Sequence, residues 1–153
     1  MAGGYRLPDD GERDTLERFV RAQAGDYARA LAELRAGRKR THWMWYVLPQ
    51  LRGLGRSPLA EHYGLAGRSE AQAYLAHPLL GARLAECVEA VLAHAGTDPA
   101  TIFGAVDALK FRSCLTLFAA VAPQPALFER ALAAFYDGQH DEATRRLLAQ
   151  APV

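Results

Sequence analysis

The chain has almost no net charge. Its 18 Lys and Arg side chains face 17 Asp and Glu, leaving +1 with histidine neutral. No long-range field is then available to gather nucleic acid or an anionic membrane surface. Cysteine is scarce as well: Cys87 and Cys114 are the two present, and neither belongs to a CxxC or Cys/His cluster that would hold zinc. Their apolar neighbours predict two buried, reduced thiols. No apolar run approaches the ~18 residues of a membrane span. Met1-Ala2-Gly3-Gly4-Tyr5-Arg6 lacks the apolar centre of a signal peptide. These absences predict a cytoplasmic protein without membrane partners, metal ligands or a cofactor motif. Period-2 alternation is missing too, except that Trp45-Tyr46-Val47-Leu48 could form a strand.

Helical periodicity fills the rest. Half the residues are hydrophobic and 23% are charged, a balance that folds rather than staying disordered. A chain of this length fits one domain and buries roughly 68–70% of its unfolded surface. Residues 1–13 read as a polar, flexible lead-in, and residues 14–150 as a single helical domain. Asp14 with Glu17 resembles a capping box. Leu16, Phe19, Val20 and Gln23, then Tyr27, Ala30, Leu31 and Leu34, form one continuous helix face, which Gly37 ends. The aromatic stretch that follows reads as a short helix closed by Pro49. Ser57-Pro58 is a cap with proline in the first helical position. Ser69 with Gln72 is a second capping box. Pro78 opens an amphipathic helix carrying Leu80, Leu84, Cys87, Val88, Val91 and Leu92. Asp98-Pro99 starts a turn of helix to Phe103. A very apolar helix from about Val106 to Val121 reads as the centre of the core. Phe128, Ala131, Leu132 and Phe135 line the next helix, and Asp141 caps the last. The expected fold is all-α: a compact bundle of about seven or eight helices around that central one, since pattern, caps and terminators agree.

Chemistry concentrates in Lys39-Arg40-Thr41-His42-Trp43-Met44-Trp45-Tyr46-Val47-Leu48-Pro49-Gln50, which holds both tryptophans. Aromatic side chains with polar tips suit a pocket wall, giving apolar area and a directional hydrogen bond together. Read as a site that also includes Gln50, Trp43 or Trp45 stacks on a base or ring while Lys39, His42 or Arg52 meets phosphate. Read as structure, the indoles anchor the core. Arg52-Gly53-Leu54-Gly55-Arg56-Ser57 could admit an anion near Ser57, or could be a turn feeding a serine cap. Asp107, Lys110 and Arg112 are charges on the most apolar helix, where they need partners or a cleft. Asp107 is the candidate catalytic carboxylate. His77 before Pro78 either caps that helix or lines a cleft. Ser113 and Cys114 lack a nucleophile-elbow sequence.

These residues also carry a resemblance. His42-Trp43-Met44-Trp45-Tyr46-Val47-Leu48-Pro49-Gln50-Leu51-x-Gly53-Leu54-Gly55-x-Ser57 resembles the signature of a bacterial family of uncharacterised small proteins. Tyr74-Leu75-x-His77-Pro78-x-Leu80-Gly81-x-Arg83-Leu84 and Asp107-x-Leu109-Lys110-x-Arg112-Ser113-x-x-Thr116-Leu117-Phe118 match it too. The likeness spans roughly Thr15 to Leu148. Members often carry the name calpastatin, although true calpastatin is a disordered protease inhibitor and this composition is that of a folded globule. The Lys110-Phe111 pair on a helix, with aromatics and carboxylates elsewhere, is distantly similar to the NADAR superfamily, which acts on ADP-ribose-type glycosidic bonds. That superfamily's glutamate-bearing helix and tryptophan-glycine terminal motif have no assigned counterpart here, so no catalytic residue is carried over from it.

Two functions from different classes follow. In the first, the protein binds a nucleotide-like small molecule through Lys39, His42, Trp43, Trp45, Gln50, Arg52, Ser57, His77, Lys110 and Arg112. It would act as an N-glycosidase on an ADP-ribose derivative, with Asp107 orienting water or stabilising an oxocarbenium-like state. In the second, the Trp43–Trp45 stretch is a non-enzymatic docking surface for a protein partner. A concave site enclosing His42, Trp45 and Asp107 favours the first, and an outward aromatic patch the second. The near-neutral charge argues against nucleic acid.

Overall fold

The computed structural model describes residues 8–150, with side chains from Leu16 onward. Among these residues stand nine helices: α1 (Pro8–Arg35), α2 (Met44–Val47), α3 (Pro58–Tyr63), α4 (Arg68–Ala76), α5 (Leu80–Leu92), α6 (Pro99–Phe103), α7 (Ala105–Val121), α8 (Ala126–Tyr136) and α9 (Glu142–Gln150). The chain is all-α as expected. The count exceeds the expected seven or eight by one, and the aromatic stretch forms the four-residue α2, the short helix expected there and not the alternative strand. Extended pairing among the described residues amounts to one isolated parallel bridge, Leu51 with Leu65.

Local chemistry explains most boundaries. α1 begins at Pro8, where proline has no amide hydrogen to lose. Residues 8–13 of the expected lead-in are therefore helical, Asp14 lies inside the helix, and residues 1–7 lie outside the described ones. Ser57 caps α3 by accepting from Ala60 N at 3.1 Å, and Asp98 caps α6 by accepting from Ala100 N at 2.9 Å. Asp141 does the same at α9, accepting from Thr144 N at 3.0 Å. The Ser69–Gln72 box does not form: α4 starts at Arg68, and the buried Glu70 carboxylate instead accepts from Ala66 N at 2.8 Å.

α7 is the central helix. Every residue from Ser113 to Ala119 is buried, as suits a helix with neighbours on all sides. It packs against α4, α6, α8 and α9. Rings carry much of that contact: Phe103 meets Phe111 at 4.7 Å, Tyr74 meets Phe118 at 5.6 Å and Phe118 meets Phe128 at 5.8 Å between centroids. The buried hydroxyls of Ser113 and Thr116 are satisfied one turn back, on Leu109 O and Arg112 O. On the other side of the core, buried Gln23 of α1 joins three elements. Its Nε2 donates to Tyr46 O at 2.7 Å and to the Tyr74 hydroxyl at 3.1 Å, and its Oε1 accepts from Arg83 Nη1 at 3.3 Å.

The decisive local feature lies just past α1. Gly37 adopts φ +77, as a helix-ending glycine should, and the chain turns back on itself. Glu33, only 8% exposed, then collects the donors of the returning segment. Oε1 accepts from Arg40 N at 2.8 Å, Thr41 N at 3.1 Å and Trp43 Nε1 at 2.9 Å, and Oε2 accepts from the Thr41 hydroxyl at 2.7 Å. Burial pushes the Glu33 carboxyl up. The donated bonds from Arg40, Thr41 and Trp43 outweigh it and hold the group at about 2.

Glu33→Ala strands four donors and is expected to cost about 3 kcal/mol, read as a lower urea midpoint at neutral pH. The sign of the pH dependence follows from the lowered value. The Glu33 contribution is complete above the ordinary value of 4.5 and is lost as pH falls through about 2. The stability gap between wild type and Glu33→Gln therefore narrows across that window, and a gap independent of pH there would contradict this account.

Candidate functional site

The anchored segment Arg38–Trp43 delivers the site. Lys39 N donates to Ile102 O at 2.7 Å, setting the segment against α6. The Lys39 side chain, 7% exposed, then reaches Asp107 in the first turn of α7, with Nζ 2.9 Å from Oδ2. A carboxylate there also gains from the helix dipole. The same ammonium lies 5.1 Å from the centroid of the Trp43 ring. One turn further along α7, Lys110 Nζ stands 3.6 Å from Asp107 Oδ1 and 5.3 Å from the Trp45 ring. Asp107 and the aromatic stretch, far apart in sequence, thus belong to one cluster.

Beside it lies a small cleft of about 260 Å³, mouth included, lined by Met44, Trp45, Leu48, Gln50, Ala60, Tyr63, Gly64 and Lys110. Its walls nearly meet, leaving room for about one water-sized group. Gly64 shapes this wall. A Cβ there would lie 2.5 Å from the Arg52 Cα, so only glycine lets the two segments close. Leu65 N then donates to Gln50 O at 3.0 Å and Arg52 N to Leu65 O at 2.8 Å, which holds Gln50 at the cleft.

The candidate residues divide into three groups. Trp45, Gln50 and Lys110 line the cleft. Lys39, Trp43 and Asp107 stand behind it as the ion-pair cluster. The others go elsewhere, and several site readings are corrected. Trp43 has no exposed surface, so its ring offers a ligand no face and its N–H is spent on Glu33. Ser57 is a helix cap. His77 caps α5, its Nδ1 accepting from Leu79 N at 3.1 Å and Leu80 N at 3.2 Å. Arg52 is exposed and donates from Nε to Glu61 O at 3.0 Å. Arg112 turns to the α8–α9 side, 3.8 Å from Asp141 and 5.9 Å from the Tyr136 ring. His42 is exposed, and its carbonyl accepts from the Tyr46 hydroxyl at 3.2 Å. The cleft therefore encloses Trp45 without His42 or Asp107.

Sequence reasoning missed Glu33, Met44, Leu48, Tyr63 and Gly64. The available signal for Glu33 was its position on the face of Ala30 and Leu34, an acid where an apolar residue is expected. Nucleophilic cysteine chemistry has no support. Both thiols are free and buried, and burial pushes Cys87 up to about 12 and Cys114 up as well. Among the described residues no group of three or more His, Cys, Asp or Glu is placed to hold a metal ion. None of their helices is long and apolar enough to cross a membrane.

The fold and site thus define an all-helical protein in which Lys39, Asp107 and Lys110 form a partly buried ion-pair cluster beside an aromatic cleft. The chain belongs to the protein family of unknown function DUF1810, whose model matches residues 13–148. It is similar to the conserved hypothetical protein Rv1873 from Mycobacterium tuberculosis, known from a crystal structure. The two share 53% identity over 88% of this chain and 96% of that one, with a TM-score of 0.86. No curated protein matches the chain.

The ion pair makes an asymmetric prediction. Asp107→Ala leaves the Lys39 ammonium buried without its carboxylate and is expected to cost about 3 kcal/mol. Lys39→Met removes the buried charge itself, leaves Asp107 to Lys110, and is expected to cost about 1 kcal/mol. Urea midpoints of the two variants measure the difference; equal losses would contradict it.

Proposed function

We propose that this protein binds a nucleotide-like small molecule at the cleft beside Trp45 and acts on an N-glycosidic bond of an ADP-ribose derivative. The observation that carries the reading is the convergence of Trp45, Gln50, Tyr63 and Lys110 on one cleft, with Asp107 paired to Lys110 behind it. The rings supply apolar area with polar tips. The ammonium suits a phosphate, and a carboxylate suits the oxocarbenium-like state of glycosidic cleavage. Asp107 is held by two lysines, and reaching a ligand requires it to release Lys110, the longer contact. The distant likeness of Lys110-Phe111 to the NADAR pattern supports the same substrate class.

Isothermal calorimetry with ADP-ribose, NAD and AMP tests the reading. Saturable binding is expected, weakened about tenfold in Trp45→Ala, the size of one lost contact at the cleft wall. Asp107→Asn is expected to keep binding and lose base release. Full hydrolysis by that variant would remove Asp107 from the mechanism, and no binding of any of the three would overturn the reading.

One observation favours an interaction module as a second reading, at the start of α7 and not on the Trp43–Trp45 stretch expected from the sequence, since Trp43 is fully buried. Val106 and Leu109, at the start of α7 beside Asp107 and Lys110, are 67% and 61% exposed. Apolar side chains this open suit a contact surface. In that case Val106→Asp with Leu109→Asp abolishes partner binding and leaves the calorimetry unchanged.

A further inference from the structure

We infer that the first two turns of α7 dock an acidic segment of another protein, with its apolar side chains on Val106 and Leu109 and its carboxylates on Lys110 and Arg112. This names the partner for the contact surface of the second reading above and rests on that reading.

The first observation is an apolar pair left open on an otherwise buried helix. Val106 and Leu109 are mostly exposed, whereas every residue from Ser113 to Ala119 is buried. Spaced three apart, the two share one face of α7. That face closes further along. Ser113, one turn beyond Leu109, is buried, and Asp141 N donates to Thr116 Oγ1 at 2.8 Å, seating the start of α9 on the helix. The open stretch is therefore two turns long, room for a few side chains of a protein partner and too little to hold a bilayer.

The second observation is the rim. On an α-helix Lys110 lies about 70° to one side of the Val106–Leu109 midline and Arg112 about 90° to the other. Long helical side chains lean toward the N-terminus, so both cations reach back along the open stretch. Their contacts agree. Lys110 Nζ stands 3.6 Å from Asp107 Oδ1, and the Arg112 guanidinium stands 5.9 Å from the Tyr136 ring, whose hydroxyl donates to Ala108 O at 2.5 Å.

The third observation is that both cations are incompletely engaged. Asp107 is taken by Lys39 at 2.9 Å. Asp141 spends Oδ2 on the Thr144 N–H and hydroxyl, and its Oδ1 is 3.8 Å from Arg112 Nη2. The Lys110 and Arg112 ion pairs thus stand beyond hydrogen-bond reach, with the two side chains 27% and 28% exposed. Neither side chain donates a hydrogen bond among the described residues. Carboxylates flanking a partner's apolar side chains supply the missing acceptors, and a basic partner meets two like charges instead. The apolar centre suits the side chains of a protein rather than a phosphate backbone.

The test uses the full chain and two helical peptides labelled with fluorescein. One carries leucines three and four apart with glutamates on both sides, and its twin carries lysines in place of the glutamates. Fluorescence anisotropy reads affinity. The methyl signals of Val106 and Leu109, assigned with Val106→Ser and Leu109→Ser, read location. The acidic peptide is expected to shift those methyls and to bind about tenfold tighter than its twin. Lys110→Gln and Arg112→Gln are each expected to weaken it about fivefold, and Val106→Ser with Leu109→Ser to abolish it. Equal binding of the twins at these methyls, or full affinity in both glutamine variants, overturns the inference and leaves the contact surface standing. Methyls unmoved by either peptide overturn both. Methyl shifts that follow protein concentration alone assign the face to a second copy and overturn the inference. Shifts caused by phosphatidylglycerol vesicles or poly-uridine and not by the acidic peptide overturn it in favour of a membrane or a nucleic acid.

Discussion

The structure depends on one buried carboxylate. Glu33 sits on the core face of α1 and is satisfied entirely by neutral donors from residues 40–43. A lone buried charge is costly, and here the cost is offset by four hydrogen bonds rather than by a cation. What this secures is direction. The chain leaving α1 is folded back over its own last turns, so that Trp43 enters the core and α2 starts where it does. Lys39 is carried by the same turn, and its backbone bond to Ile102 ties the segment to the entry of α7. Removing the carboxylate would free the segment that brings the first half of the chain to the second.

The cluster around Asp107 is the consequence. An ammonium as buried as that of Lys39 persists because a carboxylate and an indole face meet it together. The pairing uses up Lys39 and leaves Lys110 incompletely engaged at the cleft. The arrangement therefore has a closely paired inner half and a partly exposed outer half. The same division explains why so many polar residues of striking spacing turn out to be structural. Ser57, His77, Asp98 and Asp141 each answer the unpaired amides of a helix start, a demand that a chain with many short helices makes repeatedly.

Much of this was legible in the sequence. Helix content, the apolar helix from Val106 to Val121, the glycine stop at Gly37 and the proline and cap starts are set by periodicity and local backbone chemistry, which neighbouring residues decide among themselves. The sequence by itself determined that the protein is all-α, that its thiols are buried and that both tryptophans fall in one short polar and aromatic stretch. Only the tertiary structure decided which tryptophan is core and which is cleft, that Glu33 organises the segment between them, and that Lys39 rather than Lys110 holds Asp107 closely. It also decided that His42, Arg52, Ser57, His77 and Arg112 stand apart from the cleft. The reason is range: caps and helix faces are fixed within a few residues, whereas an ion pair between residues 39 and 107 exists only after the chain has packed.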